Sequence, residues 1–304
     1  MLSIIFVNYK TSKDLDICLS SIQKFEKKYQ EYEYIIVDNN SGDNNLENLK
    51  VKYPFIHLIY AEKNGGFAYG NNIGIKASKG DILFLLNPDT YITDNSIEIL
   101  FNKLSEDENL DFIGPQLFYP NGENQSFFQP KSYLTLWKLF CTQFFLDKIF
   151  QKSHRFNSYF KTYMDYSSSQ KVESVDGAAL MFKKKVIEKM GYLDESYFMY
   201  FEEIDFCFQA HKYKCNMLYY PKAKVFHSGG LISESNWTRS TKDYIISFKN
   251  YFRKNFNDLI YKSAWVVMFS GSLLRTVGLS LKKNSTKHGY YKLFMKHLLK
   301  SGNR

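Results

Sequence analysis

Apolar runs alternate with helix-period segments through the first third of the chain. Residues 2–7 (LSIIFV) are almost continuously apolar, the pattern of a strand covered on both faces. Residues 11–28 follow with Leu15, Cys18, Leu19, Ile22 and Phe25 at helical spacing and Thr11/Ser12 as start signals. A second apolar run at 34–37 is closed by the loop sequence DNNSGD at 38–43. Another helical pattern leads to 56–60, a glycine-rich stretch occupies 64–74, and a further strand at 82–86 ends in Asn87-Pro88-Asp89. Strands separated by helices of about 10–20 residues predict βαβ units and a mainly parallel sheet.

After about residue 115 the rhythm loosens. Residues 126–170 are rich in Phe, Tyr, Trp and Lys without a clean period, and are expected to form helices and a mobile loop. Residues 172–182 read as a strand around Asp176-Gly177. Residues 202–212 read as a helix, with Phe201, Ile204 and Phe208 to one side, and 217–220 and 224–227 as two short strands before Ser228-Gly229-Gly230. From Lys242 the pattern is helical, basic and aromatic. Residues 264–281 are mostly apolar but interrupted by Gly271, Arg275 and Gly278. That length is at the lower limit for crossing a bilayer, and a central Arg costs about 2.5–3.5 kcal/mol, so an interfacial helix fits better than a span. A packed helix pair or an oligomer contact is the alternative.

A chain of 304 residues suggests two structural units, and 27 Phe and 24 Tyr supply a large core. The four cysteines form no CxxC or disulfide-like framework, which favours a reducing compartment. MLSIIFVNYK lacks the basic start and cleavage site of a secretory leader. The net charge of +9 becomes informative when split: residues 237–304 carry 14 Lys+Arg against 2 Asp+Glu, leaving the first 236 residues slightly acidic. The positive charge therefore belongs to one C-terminal segment and suits a polyanionic partner or an anionic membrane.

Candidate chemistry clusters at strand ends, where open parallel sheets bind ligands. Asp89 could hold a hard divalent cation, although Asn-Pro-Asp is also an ordinary turn. Asp38 could accept a hydrogen bond from a pyrimidine ring N–H, or simply cap backbone N–H groups. The glycines of 64–74 would allow a diphosphate to approach the backbone. Glu202, Glu203 and Asp205 repel one another, so one could be a general base with a raised pKa; acidic residues also favour a helix start. His227 could join Asp89 on a metal, or be structural. GxGxxG, GK[ST], GxSxG and HExxH are all absent, which removes dinucleotide, P-loop and common hydrolase readings.

Seven motifs occur in one order: FVNYK (6–10), VDNNSGD (37–43), NGGFAYGNNIG (64–74), LLNPDT (85–90), VDGAALMF (175–182), YFEEIDFCFQ (200–209) and FHSGG (226–230). This series resembles family 2 glycosyltransferases, with most similarity to the rhamnosyltransferase-like branch, over about residues 1–235. The resemblance implies a GT-A (Rossmann-like) α/β fold, with a mixed, mainly parallel sheet flanked by helices, an inverting mechanism, a nucleoside-diphosphate sugar donor and Mg²⁺ or Mn²⁺. It divides the chain into a nucleotide-sugar half (1–115), an acceptor half (116–235) and a basic amphipathic helical extension (236–304). Val7, Asn8, Tyr9 and Asp38 would line the nucleobase pocket. Asn64, Gly65, Gly66, Asn71 and Asn72 would face the ribose and diphosphate. Asp89 matches the last acid of the family's metal motif, Asn87 stands at its first acidic position, and His227 would complete the cation's coordination. Asp176 and Gly177 would border donor sugar and acceptor. Glu203 matches the catalytic base, with Glu202 beside it as the alternative.

The resemblance further implies a deoxythymidine- or uridine-diphosphate sugar, with rhamnose one candidate. The acceptor would be a glycan or a lipid-diphosphate-linked glycan of cell-surface polysaccharide synthesis. A cytoplasmic enzyme held at the inner membrane face through residues 237–304 would follow, with a homodimer also compatible and no nucleic-acid partner expected. The rival readings are a sugar-nucleotide oxidoreductase or epimerase and a non-catalytic nucleotide-sugar or polyanion-binding protein on the same fold. The first lacks its fingerprint, since Asn8-Tyr9-Lys10-Thr11 follows the first strand. The second is disfavoured by the joint presence of Asp89, Glu203 and His227.

Overall fold

The apolar runs of the first third become parallel strands in a computed structural model, which describes residues 1–125, 132–229, 237–281 and 285–302. Strands β1 (Leu2–Asn8), β2 (Glu33–Asp38), β3 (Ile56–Tyr60) and β4 (Ile82–Leu86) lie in the order β3-β2-β1-β4. Helices α1 (Ser12–Phe25), α2 (Leu46–Lys52) and α3 (Gly66–Ala77) connect them. The two-residue β5 (Thr90–Tyr91) and α4 (Ser96–Glu106) follow, then β6 (Phe112–Phe118), α5 (Leu136–Gln143) and α6 (Leu146–Ile149). Next come β7 (Gln170–Lys171), β8 (Ala179–Lys183), α7 (Lys185–Met190), α8 (Glu202–Lys212) and β9 (Met217–His227). The sheet continues from β4 through β8, β6 and β9 to β5, with β8 antiparallel to both neighbours.

Side chains alternate across this sheet. Ile4, Phe6, Tyr34, Ile36 and Phe84 meet a core built with α1, α2 and α4. Ile5, Ile35, Val37, Leu83 and Leu85 meet a second core with α3, α7 and α8. Both faces are covered, which is why the strands show no polar alternation. A third core joins Ile204 and Phe208 of α8 to α9 (Trp237–Asn255), α10 (Asp258–Leu281) and α11 (Ser285–Gly302). The C-terminal helices thus share a hydrophobic cluster with the preceding part of the chain.

Four expectations change. The strand expected over 172–182 begins only at Ala179, where β4 offers a partner; before it, Asp176 accepts the Ala178 N–H at 2.9 Å and closes a turn. The two strands at 217–220 and 224–227 are one, β9, whose register against β6 shifts between Pro115 and Gln116 to absorb Pro221, Lys222 and Ala223. The glycine stretch is mostly helix. Gly70 and Gly74 let α3 lie on β1: a Cβ there would stand 2.6 Å from Val7 and 2.3 Å from Ile5. Arg275 is engaged within the fold: its guanidinium donates to the carbonyls of Thr142 (2.6 Å) and Gln143 (2.7 Å) at the C-terminus of α5.

Helix α10 accordingly has a packed face at Ala264, Met268 and Ser272, while Leu259, Val266, Leu273, Leu274 and Val277 stay exposed. Among the described residues no helix is long and apolar enough to cross a membrane. Gly230, the start of the 126–170 stretch at 126–131, the expected boundary at 235/236 and Lys282-Lys283 lie outside the described residues.

Candidate active site

The C-terminal ends of β1, β2, β4 and β9 and the start of β8 form one rim. Asn8 and Asp38 are register partners, as are Thr90 and His227. The Asn87 N–H donates to the Ala178 carbonyl at 2.9 Å, so the turn carrying Asp89 lies beside Asp176-Gly177. The structure therefore brings Asp89, His227, Asp176, Gly177 and Glu203 into one neighbourhood, though they span more than a hundred residues.

His227 Nε2 lies 3.4 Å from Asp89 Oδ1. Its orientation is set by a residue the sequence analysis missed. Gln125, wholly buried, donates its Nε2 hydrogen to the His227 carbonyl, so its Oε1 accepts from Nδ1–H at 3.3 Å. Nε2 is then the ring nitrogen left to face Asp89, which is how metal-binding histidines are commonly held. Burial pushes the His227 pKa down, but the hydrogen bond and charge of Asp89, with the charge of Asp176, outweigh it and the net shift is upward. Asp14, at the start of α1, is shifted up by burial and then by Asp89, which places a second missed residue, a carboxylate, within electrostatic reach.

Among the described residues no group of three or more His, Cys, Asp or Glu is arranged to hold a metal. One carboxylate and one oriented imidazole do fit a hard cation that takes its remaining ligands from diphosphate oxygens and water.

On the other side of Gly177 stand the two glutamates. A Cβ on Gly177 would lie 3.2 Å from Glu203 Cβ and 3.6 Å from Phe67 Cζ, so the turn packs directly on Glu203. Glu202 is only 5% exposed and its Oε2 has no hydrogen-bond partner. Burial, then Glu203 and Asp176, hold its carboxyl well above the ordinary carboxylate range. Asp205 is committed elsewhere, to Lys254 (2.7 Å) and Asn255 (2.6 Å). Glu203 is the member of the trio that is partly exposed beside the rim. The hydroxyl of Tyr159 is pushed up by burial, Tyr244 and the Glu203 charge, so the 126–170 stretch also supplies a side chain near this carboxylate.

The backbone leading into Glu202 is strained: Tyr200 and Phe201 both have φ near +68°. Each costs about 1–3 kcal/mol, and burial of Phe201 recovers about 2–3 kcal/mol. Helix α9 supplies the rest of the restraint. Phe201 packs on Tyr244, Phe248 and Tyr251, Ser247 donates to the Met199 carbonyl at 2.8 Å, and Asn250 donates to the Ser196 carbonyl at 3.0 Å.

The expected donor pocket is reached in part. Tyr9 is 41% exposed at the rim. Asn8 and Asp38 are buried and bonded to each other at 2.8 Å, and Asp38 also accepts from the Ser41 N–H and hydroxyl. Asp38 therefore does act as a backbone cap. Asn39, not singled out in sequence, donates to Asn64 Oδ1 (3.1 Å) and the Gly66 carbonyl (2.9 Å), fixing the loop. Gly66 has φ +87° and the Phe198 carbonyl oxygen only 2.0 Å from where a Cβ would be, so this loop abuts the segment before α8.

Asn71 and Asn72 do not fit the expected donor-facing role. They sit inside α3, with their amides given to the carbonyls of Phe67 (3.0 Å) and Leu193 (2.8 Å).

Residues 3–191 match the sequence model of glycosyl transferase family 2. The chain belongs to that family. It is 28% identical over 268 residues, 86% of its length, to the low-salt glycan biosynthesis hexosyltransferase Agl10 of Haloferax volcanii, covering 77% of that protein. It is 22% identical over 238 residues to the N-acetylglucosaminyl-diphospho-decaprenol L-rhamnosyltransferase of Mycobacterium tuberculosis, covering 75% of this chain and 76% of the relative. Among solved structures it resembles the mannosyltransferase PcManGT of Pyrobaculum calidifontis in complex with GDP-Man and Mn²⁺, at a TM-score of 0.58 and 11% identity over 98% of this chain and 86% of that one. The family 2 chain thus has the GT-A fold and is a glycosyltransferase.

Proposed function

We propose that this family 2 enzyme transfers a hexose or deoxyhexose, with inversion, from a nucleoside-diphosphate sugar to a hydroxyl of a glycan or lipid-linked glycan. The observation that carries the reading is the single turn at Asp176-Gly177. Asp176 acts electrostatically on both His227 and Glu202, and Gly177 packs on Glu203. Both acidic groups therefore border the same turn.

Asp89 and the Nε2 of His227 would hold Mg²⁺ or Mn²⁺. When bound, the cation offsets negative charge on the departing diphosphate. Glu203 accepts the acceptor hydroxyl's proton as oxygen attacks the anomeric carbon from the face opposite the diphosphate. Glu202 is too buried to reach that proton. Its upward-shifted pKa, caused by burial and then by Glu203, favours the neutral form and so lessens the repulsion beside Glu203. Tyr9 and the Asn64–Gly66 loop would meet the nucleotide; Val7 and Asn8 shape the floor of its pocket, and Asn87 anchors the Asp89 turn. Likeness to the mycobacterial L-rhamnosyltransferase supports rhamnose as the sugar moved, and the basic C-terminal helices support work at an anionic membrane surface.

A thermal-shift screen of nucleoside-diphosphate sugars with Mn²⁺ tests the reading. Saturating the right donor at about 100 times its Kd adds about 2.7 kcal/mol, a rise of about 5 °C. If no nucleotide sugar moves the transition, the reading is wrong.

A further inference from the structure

The strongest surface feature outside the rim lies at the α5–α6 corner. Trp137 (40% exposed), Ile149 (67%) and Phe150 (46%) face solvent together. Trp137 stacks on Phe140 (centroids 5.8 Å apart, planes at 19°) and meets Phe156 at 5.9 Å; Phe150 meets Phe156 at 4.8 Å. None of these rings belongs to the three buried cores, so the patch is an aromatic cluster that the fold leaves on its surface. It is also ordered. The Trp137 indole N–H donates to the Arg155 carbonyl at 3.1 Å, and the Arg155 guanidinium lies 5.4 Å over the indole.

The exposed charge around it has one sign, Asp147 of α6 being buried. Lys148, Lys152 and Arg155 are exposed, and no acidic residue occurs between 148 and 164. Among the described residues none of these three cations is in an ion pair with a carboxylate. Arg275 bonds α10 to this corner and lies 4.4 Å over the Phe145 ring, which brings the exposed Leu274 of α10 into the same region. Tryptophan, phenylalanine and isoleucine interleaved with unpaired Lys and Arg form the composition that partitions to the headgroup boundary of an anionic bilayer.

We propose that the α5–α6 corner is a docking surface for anionic phospholipid. The proposal deepens the membrane-surface reading above, moving the primary contact from the basic C-terminal segment to Trp137, Ile149, Phe150 and their flanking cations. The aromatic rings enter the headgroup boundary while Lys148, Lys152 and Arg155 neutralise lipid phosphates, each cation contributing about fivefold to binding.

The full-length protein is sedimented with vesicles of 30% phosphatidylglycerol in phosphatidylcholine and with pure phosphatidylcholine, at low and physiological salt. Two variants are compared with wild type after their thermal transitions are matched: W137S/F150S and K148E/K152E. A third, K292E/K296E/K300E, removes exposed charge from α11. The proposal expects binding to anionic vesicles alone, loss of at least tenfold in each of the first two variants and less than threefold in the third. If only the α11 variant releases the protein, the corner is overturned while membrane association stands. If wild type binds no vesicle, both fall. Self-association or RNA binding by wild type that W137S/F150S abolishes, with vesicle binding unaltered, assigns the patch to those partners instead and overturns the proposal.

Discussion

Replacing Gly177 by alanine separates stability from chemistry in this enzyme. The new methyl would sit 3.2 Å from Glu203 Cβ, 3.4 Å from its Cγ and 3.6 Å from Phe67 Cζ. The first distance is short enough that Glu203 must move by a few tenths of an ångström. Misplacing a reacting group by about 1 Å can cost about 10²-fold, so a displacement of about 0.3 Å should lower kcat about fourfold. Folding should scarcely suffer. Gly177 lies outside the left-handed φ region, and Gly→Ala gains about 0.4–1 kcal/mol from the unfolded chain, enough to offset the local crowding. The assay is product formation at saturating donor, alongside thermal unfolding. A G177A enzyme with unchanged Tm and a donor KM within twofold of wild type, but several-fold lower kcat, is expected. Wild-type kcat in a folded G177A protein would refute the placement of Glu203 against this turn during turnover.

Further outcomes follow from the same geometry. Gln125→Ala leaves the His227 ring free to rotate and should weaken Mn²⁺ binding about 10–100-fold by calorimetry, with the fold intact. Ser247→Ala with Asn250→Ala loosens the strained approach to Glu202; kcat should fall several-fold with little change in donor KM, and stability by about 1–2 kcal/mol in urea titrations. Glu26 caps α4 through the N–H groups of Ile97 (2.7 Å) and Glu98 (3.1 Å), yet burial, the largest influence, pushes its pKa up to about 7. A raised folded pKa gives stability that is fully present below about pH 4.5 and is lost as pH rises through about 7. Urea midpoints should therefore decline across that window by the equivalent of about 2 kcal/mol more in wild type than in Glu26→Gln, which keeps the contributions of the other shifted groups such as Glu202 and His227.

What the sequence revealed follows from how each residue does its work. Residues 2–7 and 34–37 are apolar at successive positions because both sheet faces are covered, and that pattern needs no partner to be read. The rim followed, since Asp38 and Asp89 directly end or follow strands. Residues whose role is defined by a distant partner stayed hidden. Gln125 is an ordinary polar residue until β9 brings His227 beside it, 102 positions away. Asn71 and Asn72 lie in a motif that reads as a ligand loop, but their amides satisfy carbonyls inside the protein, and only the helix containing Gly70 and Gly74 shows why the glycines are there. Arg275 in an apolar run reads as a membrane cost, whereas its partners are the orphan carbonyls of α5. The dependence of the Glu202 approach on α9 could not be read from a segment whose evident property is charge.

The central claim is that Glu203 takes the acceptor's proton beside a donor anchored at Asp89 and His227. Glu203→Gln keeps the shape and removes the base. Measured with the donor identified by screening, transfer should fall about 10²–10⁴-fold while donor affinity stays within twofold of wild type. Undiminished transfer by the Gln variant would contradict the account.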